Sequence, residues 1–206
     1  MTLSMLGLLV LAAVDLLLLI WLIVSPELAG GRVGGLVTAI AFLLLPAAVL
    51  TIGTGQHLER ATTTSFCLSC HVMSDYGRSL HVDDGQLLAA THFQNRLVPR
   101  DKACYACHTD YTMFGDLAAK MRGVRHLYVQ YLGTPPERLT LYGPYQNREC
   151  LHCHEGARRF SEGAFHADDL ERLESSEISC LSSGCHDTTH AVESIDELKL
   201  WRSQTR

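Results

Sequence analysis

The sequence predicts a mainly α-helical protein with much irregular structure, in which an N-terminal transmembrane helical hairpin precedes a compact domain. Three observations predict it. Two long apolar runs fill the first fifty residues, four cysteine–histidine strings recur through the remainder, and residues 54–206 are too few to hold what those strings bind and an ordinary apolar core as well.

Residues 3–24 are almost unbroken apolar side chains, and residues 33–52 form a second such run. Each meets the length of about 20 residues that a helix needs to cross a bilayer. Residues 25–32 make the turn between them. A secretory signal is the alternative for the first run, but that run lacks a basic leading segment, is too long, and is followed at once by a second span. Arg32 is the one basic residue before Arg60 and lies in the turn, which the positive-inside tendency assigns to the cytoplasm. Asp15 falls in the middle of the first span, where an ionised carboxylate costs at least about 2.5 kcal/mol. It needs a partner, either in another subunit or proton path, or as a protonated or locally bonded acid within the helix pair. Pro46 removes a backbone donor from the second span and predicts a kink.

After Thr54 the chain is soluble in composition, with 16 Lys and Arg against 20 Asp and Glu once Arg32, Asp15 and Glu27 are set aside. Nothing is basic enough for nucleic acid. All eight cysteines belong to the strings Cys67-Leu-Ser-Cys70-His71, Cys104-Tyr-Ala-Cys107-His108, Cys150-Leu-His-Cys153-His154 and Cys180-Leu-Ser-Ser-Gly-Cys185-His186. The first three have the spacing of c-type haem attachment sites, where two thiols bond the porphyrin edge and the adjacent histidine becomes an axial iron ligand. Zinc sites and disulfides also use paired cysteines, but neither needs histidine next. With 11 histidines in 206 residues, four such adjacencies by chance come out at roughly one in a hundred thousand. The fourth string is longer and keeps the Cys185-His186 adjacency, with Gly184 to supply a backbone bend; a Cys180–Cys185 disulfide is its alternative. Four haem c groups are therefore expected, with proximal ligands His71, His108, His154 and His186. The haems themselves are the expected core of a multihaem cytochrome c domain. Thioether formation belongs outside the reducing cytosol, which puts this domain on the periplasmic side of a bacterial cytoplasmic membrane, with a multi-pass anchor.

The strings Phe66-Cys-Leu-Ser-Cys-His-Val-Met73, His92-Phe-Gln-Asn-Arg96, Lys120-Met121 and Asn147-Arg-Glu-Cys-Leu-His-Cys-His154 together resemble the NapC/NirT/NrfH family of membrane-anchored tetrahaem quinol dehydrogenases. The likeness runs from the second apolar run to about Ala191. This chain departs from the family in its extra first helix, in a longer stretch before His92, and in four residues rather than two between Cys180 and Cys185. The resemblance implies distal iron ligands at His92, His166 and His190. For the first haem it leaves two candidates beside His71: Met73, which can replace the neighbouring histidine, and His126, near where the family carries a carboxylate. His81 and His152 receive no role, and His57, at the membrane boundary, is open to snorkelling or to quinol contact.

Leu117, Met121, Val124, Tyr128 and Tyr131 recur at three and four, predicting a helix with one apolar stripe turned toward the haems. Lys120 and His126 lie off that stripe, roughly 120° apart around the axis. The resemblance makes Lys120 a contact for a quinol head group. Quinol oxidation also releases protons, for which Asp116 and His126 are helpers. The expected function is transfer of electrons from membrane quinol to a periplasmic redox protein or an integral respiratory complex, the latter suggested by the extra helix with Asp15. The alternative is an electron-wire subunit of such a complex with no quinol site. No terminal reductase site is evident.

Overall fold

The computed structural model describes residues 3–136, 139, 141 and 143–202, leaving aside the side chains of Leu3 and Leu28. The chain forms two compact units, Met1–Ala61 and Thr62–Arg206. Both are helical, and no β-strand occurs among the described residues.

In the first unit α1 (Leu3–Val24) is followed by a 3-10 turn (Pro26–Ala29), then by α2 (Gly31–Ala39), a π-helical turn (Ile40–Leu44) and α3 (Leu45–Arg60). The last three run on as one 30-residue helix, Gly31–Arg60, and both it and Ser4–Val24 are long and apolar enough to cross a membrane. The second span is thus longer than its apolar run. Once nucleated, a helix gains one hydrogen bond per residue added, and nothing between Ile52 and Arg60 breaks it. Thirty residues at about 1.5 Å each make about 45 Å, against about 30 Å of hydrocarbon. Pro46 is accommodated by the wide turn before it, in which the Leu45 N–H donates to the Ile40 carbonyl. Leu22, Gly34 and Ala41 are buried within this unit, and the small Gly34 and Ala41 allow close helix approach. Asp15 is buried there too, 9% exposed. Its Oδ1 has no hydrogen-bond partner among the described residues.

The second unit is built from short helices. They are α4 (Thr64–Cys67), α5 (Ser74–Ser79), α6 (Leu88–Gln94), α7 (Ala103–Cys107), α8 (Gly115–Leu132), α9 (Arg148–His154), α10 (Arg158–Ser161), α11 (Ala164–Ala167) and α12 (Leu170–Glu174). Only α8, at 18 residues, has more than two turns. Apolar packing is divided into three small clusters: Val82, Leu87, Ala90 and Ile195; Leu80, Phe93 and Ala103; Leu151, Phe160 and Leu173. The C-terminal segment is clasped by an isolated antiparallel bridge between Val82 and Leu200, with the Trp201 N–H donating to the His81 carbonyl at 2.6 Å.

Candidate haem sites

Each string is delivered by a local device. Thr63 caps α4, accepting from the Phe66 N–H at 3.2 Å, and α4 ends on Cys67. The chain then enters a 3-10 turn, His71–Met73, that carries both His71 and Met73. In the second and third strings the paired cysteines lie on α7 and α9, where residues three apart share a face. The His108 N–H closes the second string on the Cys104 carbonyl at 2.9 Å. The fourth string is not helical, yet it ends on the same bond: the His186 N–H donates to the Cys180 carbonyl at 3.0 Å. Its extra residues are looped out through Gly184 in the left-handed region, φ 84°. All eight thiols are free, so Cys180 and Cys185 are not bridged.

Three of the four motif histidines face a second imidazole. Ring centroids are 6.0 Å apart for His154 and His92, 6.3 Å for His108 and His190, and 6.4 Å for His186 and His166. Two imidazoles trans on one metal, with metal–nitrogen bonds of about 2 Å, have centroids about 6 Å apart. The second member of each pair is held at Nδ1 by an oxygen, leaving Nε2 for the metal. His190 Nδ1 is 2.7 Å from Ser79 Oγ, His92 Nδ1 is 2.8 Å from the Leu88 carbonyl, and His166 Nδ1 is 3.4 Å from the Arg159 carbonyl. Burial, with a smaller contribution from His108, pushes the His190 pKa down to about 4. Burial likewise lowers His108, helped by His126, and His154, helped by His92 and His186. Neutral imidazole is the ligating form, so these donors and the paired thiols fit haem c.

The strings lie beside one another in chain order. The Cys67 thiol bonds the Cys104 thiol, and the Cys150 thiol bonds the Cys180 thiol. In each pair the shared proton lowers one member, Cys67 or Cys180, to about 7 and raises the other. Cys107, raised chiefly by burial, also feels Cys153, so the second string neighbours the third. Tyr145, whose hydroxyl donates to the Cys107 carbonyl at 2.7 Å, reinforces that junction. So does Tyr111, which stacks on His152 at 3.8 Å.

A buried polar residue staples each touching pair. Thr64 donates to the Arg100 carbonyl at 2.9 Å and accepts from the Ala103 N–H at 2.8 Å. Asn147 donates to the Leu173 and Ile178 carbonyls at 2.8 and 2.6 Å and accepts from the Cys180 N–H at 2.9 Å. Both stand three residues before the first cysteine of their string. Sequence reasoning missed this pair, whose one signal is that shared offset.

The first string differs from the others. His71 has no imidazole partner among the described residues. His126 lies close enough to the second string to lower the His108 pKa, after the larger effect of burial. Lys120 acts on the Cys67 thiol and sits 4.1 Å over the Tyr105 ring. The Tyr105 hydroxyl donates to Asp116 Oδ1 at 3.0 Å, and Thr109 donates to the same oxygen at 3.2 Å. Lys120 is lowered by burial, against the raising effect of Cys67 and Asp116. Lys120, Asp116 and Tyr105 thus form one cluster beside the first two strings. Tyr105 was not legible as a member, although the spacing of Asp116 and Lys120 puts those two on one side of a helix. His81 is a packing residue, edge-on to Phe93 and stacked on Trp201.

The model of the N-terminal region of the NapC/NirT cytochrome c family matches residues 32–143. No curated protein and no solved structure matches the chain.

Proposed function

The chain belongs to the NapC/NirT cytochrome c family, a membership that carries covalently bound haem c and an electron-transfer role, and we propose that it is a tetrahaem quinol dehydrogenase of a bacterial cytoplasmic membrane. Its two apolar helices and its family mark it as membrane-anchored. The observation that carries the proposal is the contrast among the motif histidines: three face an imidazole at 6.0–6.4 Å, and His71 does not. Haem bound at the strings supplies one-electron redox chemistry.

The chain's residues then divide the work. His92, His166 and His190 saturate three sites, which suits them to relay rather than to substrate chemistry. The string at Cys67, Cys70 and His71, with Met73 on the same turn, is the entry. There Lys120 contacts the quinol head group, and Tyr105 passes its hydroxyl proton to Asp116 while taking a proton from the quinol in its place, the exposed Asp116 then giving its proton to solvent. The order of the thiol contacts suits electron flow from the first string to the fourth. The acceptor is a periplasmic redox protein or an integral respiratory complex.

Mixing the detergent-solubilised protein with menaquinol and ubiquinol analogues tests this by haem absorbance. At least one analogue reduces the haems, and Lys120→Ala slows that reduction while leaving haem content unchanged. Haems that stay oxidised with both analogues, at a favourable potential, would leave the chain as an electron wire without a quinol site.

A further inference from the structure

Ser79, the last residue of α5, is fully buried. Its Oγ lies 2.7 Å from the Tyr76 carbonyl oxygen and 2.7 Å from His190 Nδ1. A carbonyl cannot donate, so the Ser79 hydroxyl proton goes to Tyr76 and Oγ is left to accept from the imidazole. His190 is thereby fixed as the tautomer protonated at Nδ1, with Nε2 bare. The Tyr76 ring meets the same imidazole edge-on, with centroids 5.3 Å apart and planes at 73°. Two residues one turn apart on α5 thus hold a ring that lies 111 residues beyond Ser79 in the chain. So held, His190 stands only 14° from the plane of His108. The other two pairs are set differently. His92 has a backbone carbonyl at Nδ1 and crosses His154 at 82°, and His166 faces a backbone carbonyl at 3.4 Å and lies at 35° to His186. Among the described residues, therefore, His190 is the member of the three that one side-chain substitution deprives of its acceptor.

We propose that Ser79 is a positioning residue that sets the redox potential and the ligand orientation at the second string, acting through His190. An oxygen that accepts the Nδ1 proton makes the imidazole a stronger donor at Nε2. A stronger donor favours ferric over ferrous iron, so the bond from His190 to Ser79 holds the potential down. The same bond fixes the ring plane. Near-parallel imidazoles keep apart in energy the iron d orbitals that meet their π systems, whereas crossed imidazoles bring them together. The site of His108 and His190 is thus electronically distinct from that of His154 and His92. The inference rests on the reading that His108 and His190 share one iron, and not on quinol as the electron donor.

Its test uses the full haem-loaded chain and the variants His190→Ala, Ser79→Ala and Tyr76→Phe. Low-temperature electron paramagnetic resonance identifies the low-spin signal of the second string as the one that His190→Ala removes. In the unsubstituted protein that signal should be rhombic, with all its g values resolved, as near-parallel planes require. Ser79→Ala should shift that signal and raise the midpoint potential of one haem in a spectroelectrochemical titration, with haem content and the other signals unchanged. Tyr76→Phe keeps the ring edge and the carbonyl and should move neither reading. If Ser79→Ala leaves both signal and potential in place, or Tyr76→Phe moves them as far, the inference is wrong and the shared iron stands. A single large low-field feature for this site in the unsubstituted protein, the mark of crossed planes, also overturns it and needs no variant at position 79. If His190→Ala removes no signal, the shared iron and the inference fall together.

Discussion

His92, His166 and His190 each meet one oxygen at Nδ1, so the three imidazole pairs depend on residues outside them. Ser79 is fully buried and spends its hydroxyl on His190 and the Tyr76 carbonyl. Replacing His190 by Ala should convert one site to a high-spin, five-coordinate form and leave the other spectra unchanged, as read by visible absorption. If no site changes spin state, His190 is not opposite His108 on a metal. Asn147 is buried and its side chain makes three hydrogen bonds, to Leu173, Ile178 and Cys180, that join the third string to the start of the fourth. Asn147→Ala leaves those backbone groups without partners and should lower stability by about 1–3 kcal/mol. Denaturant unfolding measures this, and an unchanged midpoint would remove the staple from the account.

The element that decides the character of the entry site is α8. Its first residue packs so tightly that a Cβ at Gly115 would stand 1.6 Å from the Asp110 carbonyl oxygen. Gly115→Ala must therefore shift the helix start, with a cost of at least about 1–3 kcal/mol, and should impair quinol oxidation more than haem attachment. Asp110 ties α8 to α9 through Arg122 at 2.7 Å and Arg148 at 3.3 Å. A hydrogen bond from Thr112, followed by Arg122 and Arg148, holds its carboxyl below the ordinary range. A depressed carboxyl contributes fully above the unfolded value of about 4 and loses its effect as pH falls through the folded value. Amide exchange in α8 should accordingly rise below about pH 4. Asp110→Asn should show that faster exchange already at neutral pH. The sequence revealed α8 by its three-four period. Periodicity says which residues share a face; it does not say what each face meets, and the bond from Arg122 to Asp110 could not be read from it.

At the scale of the molecule, the two long apolar helices and the Cys-His strings were legible because each depends on residues adjacent in the chain. Run length sets a span, and the Cys-His adjacency sets thioether beside imidazole. The pairing of His92 with His154, His190 with His108 and His166 with His186 was not legible, because those partners are 20 to 82 residues apart. The family likeness nominated the distal residues without saying which motif histidine each would meet. Thr64 and Asn147 escaped notice because a buried staple and an ordinary helix cap use the same residue types. The central claim is that three sites are closed by imidazole pairs and one, at His71, is not. Low-temperature electron paramagnetic resonance with near-infrared magnetic circular dichroism on the oxidised protein counts ligand sets directly. The account predicts three bis-histidine haems and a fourth of different ligation; four bis-histidine haems would contradict it.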